Sequence, residues 1–156
     1  MQLTLWFSMM FAFYMLTILP VSLFADTANS SKTPKDASAS ENPQLQASAM
    51  AAQAWLKFID QGKYGESWDE SATLMKLTIR KEEWVTLMDQ TRKPLGSLIN
   101  RQVLDQRTAE NPHGLPKGDY MVMFYKTDFG GKSGAYELVT MFLEDGEWRV
   151  MTYQID

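Results

Sequence analysis

The chain has 156 residues, no cysteine, and 15 Lys and Arg against 19 Asp and Glu, a formal net charge of −4. Without cysteine there is no disulfide framework, no thiolate nucleophile and no thiolate-ligated metal centre. The charges are mild and dispersed, so the clustered Lys and Arg that a nucleic acid or an anionic membrane surface requires are absent.

Residues 1–25 carry no charged side chain. An apolar run from Leu3 to Leu19 leads to Pro20 and the small-residue exit Ser22-Leu23-Phe24-Ala25. This pattern predicts a secretory signal peptide cleaved after Ala25. The stretch Leu3 to Phe24 also reaches the ~20 apolar residues that span a bilayer, so an uncleaved membrane anchor is the alternative. The expected location is periplasmic or secreted, or anchored in the inner membrane and facing the periplasm, with this segment as the only membrane contact. Residues 26–43 switch to Asp, Thr, Asn, Ser, Lys, Pro and Ala. Too little apolar surface is available there to offset ordering entropy, which predicts a disordered linker. Residues 44–156 are one domain's worth of chain.

Asn42-Pro43 reads as an N-cap followed by proline at the first helical position, and Ala51, Ala52, Trp55, Phe58 and Ile59 recur at helical steps until Gly62. A second helix is predicted around Tyr64 to Ala72, with Tyr64 and Trp68 one turn apart. Thr78 is the expected cap of a third, which presents Trp84, Leu87, Met88 and Thr91 on one face and ends at Pro94. Arg92 and Lys93 suit its C-terminal dipole, whereas Arg80 and Lys81 oppose the dipole of its first turn.

Beyond Pro94 the period changes to two. Turn signals at Pro116-Lys117-Gly118, Gly130-Gly131 and Asp145-Gly146 separate four predicted strands, Ser97 to Thr108, Asp119 to Thr127, Ser133 to Glu144 and Glu147 to Ile155. Loops this short imply an antiparallel meander. The expected fold class is α+β, three N-terminal helices followed by a four-stranded curved antiparallel meander.

Two-residue turns at Asp145-Gly146 and Gly130-Gly131 set Leu143 opposite Trp148, Met141 opposite Val150, Val139 opposite Thr152, Val122 opposite Val139 and Phe124 opposite Glu137. One face then carries Val122, Phe124, Val139, Met141, Leu143, Trp148 and Val150, the natural seat of the helices. The other carries Met121, Met123, Tyr125, Tyr136, Leu138, Phe142, Met151 and Tyr153, with Thr140 and Arg149 among them. Both faces are apolar, where a sheet covered on one side alternates apolar with polar. Either curvature covers the second face within the protein, or that face meets another molecule.

The ordered set Trp55-Leu56, Gly62-Lys63-Tyr64, Ser67-Trp68, Glu83-Trp84, Arg92-Lys93-Pro94-Leu95-Gly96, Arg101, Gly114-Leu115-Pro116-Lys117-Gly118-Asp119-Tyr120, Thr127-Asp128-Phe129, Lys132, Glu137-Leu138-Val139-Thr140, Asp145-Gly146-Glu147-Trp148-Arg149-Val150 and Tyr153 resembles the small bacterial envelope proteins grouped as domain of unknown function 4019. The resemblance implies export and a helices-then-sheet domain, and it supplies no catalytic residues. In the loop, Pro112-His113-Gly114-Leu115-Pro116 departs from the family's usual Pro-Gly. The outline is also similar to nuclear-transport-factor-like and cystatin-like folds, an analogy that carries no function by itself.

No catalytic constellation emerges. His113 is the single histidine and lies between Pro112 and Gly114, so neither a metal site nor a bound cofactor is expected. The neighbours Asp69-Glu70 and Glu82-Glu83 diverge on their helices and read as solvated surface. Trp55, Trp68, Trp84 and Trp148 could form an aromatic cage but their spacing favours packing. Glu137 falls on the helix-covered face, where a lone carboxylate is costly. Arg101 is the expected partner, two strands away at about 10 Å, either pinning the register or anchoring a ligand. The expected binding residues are therefore Arg101 and Glu137, with Tyr125, Tyr136, Phe142, Arg149 and Tyr153 on the second face.

The function expected from this reading is a non-enzymatic binding module, acting by self-association as a homodimer or by docking an envelope protein. A small-molecule pocket protein or simple enzyme, using a cavity between helices and sheet, is the alternative. An exposed edge strand that pairs with a partner is a third route.

Overall fold

In the computed structural model residues 43–156 are described; the expected signal segment 1–25 and the expected linker up to residue 42 lie outside the described residues. Proline opens α1, Pro43–Asp60, whose buried stripe is Ser48, Ala52, Trp55, Leu56 and Ile59. Gly62 ends it at φ 70°, with the Gly62 N–H donating to Ile59 O and the Lys63 N–H to Phe58 O. A residue with no Cβ penalty in the left-handed region closes the helix and satisfies its last carbonyls.

The next stretch differs from expectation. It breaks into α2, Tyr64–Asp69, and a separate short α3, Thr73–Thr78, before α4, Lys81–Thr91, and a 3-10 turn at Lys93–Leu95. Thr78 ends α3 instead of capping α4. Arg80 occupies the N-cap position, its backbone N–H donating to Glu83 Oε2 (3.3 Å) and its Nη2 to Glu83 Oε1 (2.6 Å). The basic residue that seemed misplaced on the dipole thus lies outside the helix and is neutralised by a carboxylate in its first turn.

Strands β1 (Leu98–Glu110), β2 (Asp119–Phe129), β3 (Lys132–Glu144) and β4 (Glu147–Ile155) form one open antiparallel sheet in the order β1-β2-β3-β4. Helices α1 and α3 pack against β4, and α1 also against β3. The Asp145-Gly146 turn sets Leu143 opposite Trp148 and Met141 opposite Val150, as expected. Two bulges then change the registers. Beside the Gly130-Gly131 turn, β3 carries one residue more than β2, so Met123 faces Val139 and Tyr125 faces Glu137, where Val122 and Phe124 were expected. Within β4 one extra residue puts Tyr153, not Thr152, opposite Val139.

A slip of one residue exchanges the faces of a strand. Met121, Met123, Tyr125 and Tyr153, expected on the second face, are buried in the core with Ala52, Trp55, Leu56, Ile59, Met75, Trp84, Met88, Val139, Met141 and Val150. Val122 and Phe124 move to the opposite face, beside Tyr136, Leu138 and Phe142. Half of the eight apolar residues of the contact surface read from alternation therefore form part of the interior of this domain. Part of the outer face is closed by the β1–β2 loop, where Tyr120 stacks on Phe142 (4.9 Å between centroids) and donates its hydroxyl to Pro116 O (2.8 Å).

Candidate functional site

The residues that carry charge into the core converge at one place. Asp60 is the last residue of α1, Arg92 follows α4, and Arg101, Thr127, Glu137 and Tyr153 come from β1, β2, β3 and β4. The Arg101 guanidinium forks twice. Its Nη1 and Nη2 each donate to Asp60 at 2.8 Å, while its Nε and Nη2 donate to Glu137 at 2.6 and 3.1 Å. Arg92 donates from Nη2 to Asp60 (3.2 Å) and from Nη1 to Gly96 O (2.8 Å), and its guanidinium lies 4.0 Å from the Phe129 ring centroid. Among the described residues the buried Arg92 Nε has no hydrogen-bond partner.

Glu137, 1% exposed, accepts two further bonds, from the Tyr153 hydroxyl (2.6 Å) and from Thr127 Oγ1. With the two from Arg101 these fill the roughly four acceptor positions of a carboxylate. Burial would lower the Arg101 pKa, but its hydrogen bonds to Asp60 and Glu137 overcome that, and the pKa is raised. Burial, followed by the charge of Glu137, pushes the Tyr153 hydroxyl well above its usual range, and burial raises Tyr125 to about 12. Two guanidiniums balance two carboxylates. The acceptor positions of Glu137 are all taken by donors of this chain, the arrangement of a clamp.

The predicted Arg101–Glu137 pair is present. Reasoning from sequence missed Asp60, Arg92 and Thr127, and placed Tyr153 elsewhere. A signal existed for Asp60, which directly follows the buried stripe of α1. Of the remaining expected residues only Tyr125 borders the cluster, opposite Glu137 across the strands but without a hydrogen bond to it. Tyr125 lies in the core, its hydroxyl donating to Met123 Sδ (3.1 Å). Tyr136 is exposed, Phe142 packs under Tyr120, and Arg149 pairs with Glu147 (2.5 Å) and Glu70 (3.8 Å) at the β4 side. His113 is exposed in the β1–β2 loop. Asp69 pairs with Lys81, and Glu82 and Glu83 are exposed.

The space between helices and sheet is filled. Trp55 meets Tyr153 at 5.5 Å and Trp84 at 6.2 Å between centroids, and Trp84 meets Tyr153 at 6.3 Å. Both indole N–H groups are satisfied, Trp55 by Ser67 O and Ser71 Oγ, Trp84 by Ser67 Oγ. Trp148 stays apart from this group, at a cleft of about 230 Å³ that it lines with Trp55, Phe58 and Arg149. A second cleft, about 240 Å³, lies beside Asp60, Tyr64 and Arg92. Both are below the ~300–1,000 Å³ of ordinary ligand pockets.

Among the described residues no helix is long and apolar enough to cross a membrane. No curated protein gives a significant match to the chain. The family model described as a protein of unknown function, DUF4019, matches residues 51–153, from the middle of α1 to the buried Tyr153 of the clamp, and the chain belongs to that family.

Proposed function

We propose that the protein is a non-enzymatic interaction module of the bacterial envelope, carried across the membrane by its N-terminal segment, and that its working surface is the open β1 side of the sheet. The observation that carries this reading is β1 itself. It is a 13-residue strand at the edge of the sheet, exposed along most of its length, with Ile99 70% and Leu104 53% exposed. An edge strand offers unpaired backbone N–H and C=O groups to a strand supplied by another polypeptide. Among the described residues, a saturated ionic clamp and an aromatic interior flanked by two small clefts favour a binding surface over a reaction or a carried ligand.

The test is capture from the native envelope with the full-length chain. A partner retained by the natural sequence and lost with Ile99→Lys plus Leu104→Lys, two exposed positions outside the core, supports the reading. Identical captured material with both proteins overturns it. Mass measurement of the envelope-resident chain reports at the same time whether it begins at Asp26.

A further inference from the structure

Residues 98–104 read Leu-Ile-Asn-Arg-Gln-Val-Leu. The chemical pattern is the same in both directions: two aliphatic residues, an amide, an arginine, an amide, two aliphatic residues. Laid antiparallel against itself about Arg101, the segment sets Leu98 opposite Leu104, Ile99 opposite Val103 and Asn100 opposite Gln102. All four aliphatic side chains are exposed in the single chain. Like-for-like apolar pairs are what cross-strand packing rewards. Two arginines on the axis would ordinarily repel, but the Arg101 guanidinium is turned into its own domain, where Asp60 and Glu137 neutralise it.

The limits of the segment are also built in. Register shifts leave Ile99 and Leu104 as extra residues of β1 relative to β2. Both are extra only relative to β2, and both side chains are exposed. Past Leu104 the edge is occupied by the chain's own side chain. The Asp105 carboxylate accepts the Gln106 backbone N–H (2.9 Å) and Arg107 Nε (2.6 Å), which blocks pairing there. This block ends the self-complementary stretch at Leu104.

We propose that β1 pairs antiparallel with β1 of a second copy of this chain about a twofold axis at Arg101, joining two four-stranded sheets into one of eight strands. This rests on the interaction-module reading and names its partner. The natural chain has no cysteine, so single-cysteine variants report the register without interference. Full-length Asn100→Cys and Gln102→Cys chains are mixed and oxidised. In the proposed register residue 100 faces residue 102 of the other copy, while 100 to 100 and 102 to 102 are diagonal, about 7–8 Å apart and beyond disulfide reach.

The mixed disulfide is expected to exceed either self-disulfide by about tenfold, and Ile99→Lys plus Leu104→Lys to weaken the dimer about a hundredfold with the thermal midpoint of the dilute chain unchanged. A chain that stays monomeric at high micromolar concentration, a dimer that survives the two lysines, or equal yields of the three disulfides overturns the proposal. If the monomeric natural chain still captures a different envelope protein through β1, the second copy is wrong and the module reading stands. Neither dimer nor capture overturns both.

Discussion

Taking a carboxylate out of water costs several kcal/mol unless donors replace the lost hydration, and Glu137 obtains them from three other strands. Arg101 reaches it from β1, Thr127 from β2 and Tyr153 from β4. Glu137→Gln keeps the shape but removes the charge, leaving Arg101 short of one partner and forcing an amide N–H toward a donor. Breaking a buried pair in this way is expected to cost about 3 kcal/mol, read as a lower urea midpoint with an unchanged m-value. Glu83→Gln, at an exposed pair, should move the midpoint far less. An equal, small loss for both variants would mean that the clamp contributes little to stability. The pair itself was legible before any coordinates, because Val139 and Met141 fix the face on which Glu137 lies and Arg101 is within reach of it. Arg92 was not, because a cation in the last turn of a helix also satisfies the dipole from the solvent. Nothing in a helical period says that its side chain instead turns inward onto Phe129.

Element types and strand limits were readable from periodicity and turn residues, yet the face of β2 came out inverted. A bulge adds one residue to one strand and leaves the alternation on either side of it intact, so period-two reasoning cannot detect it. The local chemistry does hold a trace: Gly134, the first glycine after the turn, sits at φ 70° and donates its N–H to Asp128 Oδ1 at 2.8 Å. Its absent Cβ would meet only the flexible Lys126 side chain at 3.7 Å, so the constraint is backbone conformation and not space. Gly134→Ala is expected to lower stability by about 1–2 kcal/mol through left-handed strain, measured by urea unfolding. Gly130→Ala is the control, since Gly130 has no positive φ and its Cβ would rest 3.8 Å from Ser97 backbone atoms; near-neutrality is expected there. Should the two substitutions cost the same, the register of β2 on β3 would owe nothing to the conformation of Gly134.

At the scale of the molecule, the interior holds its phenols as neutral groups inside a charge-balanced clamp, and this makes the fold sensitive to base. Tyr125 and Tyr153 have pKa values raised above 10.0, Tyr125 to about 12 and both chiefly by burial, whereas in the unfolded chain they titrate near ~10. A group whose folded pKa lies above its unfolded one contributes stability that is complete below the unfolded value and is lost as pH rises. Stability should therefore hold to about pH 10, fall above it because both phenols ionise in the unfolded chain before the folded one, exhaust the share of Tyr125 by about 12, and go on falling on account of Tyr153. The Lys93–Asp89 pair titrates in the same direction, raised by its bond to Asp89, but is surface-exposed, so its share is small, and Arg101, its pKa raised by Asp60 and Glu137, stays charged throughout. Urea midpoints taken from pH 8 upward check the slope, and Tyr153→Phe decides its origin. That variant begins less stable because Glu137 loses a donor, but its decline above pH 10 should be the shallower of the two. If its decline is as steep as that of the natural sequence, the base sensitivity comes from somewhere other than the phenol that closes the clamp.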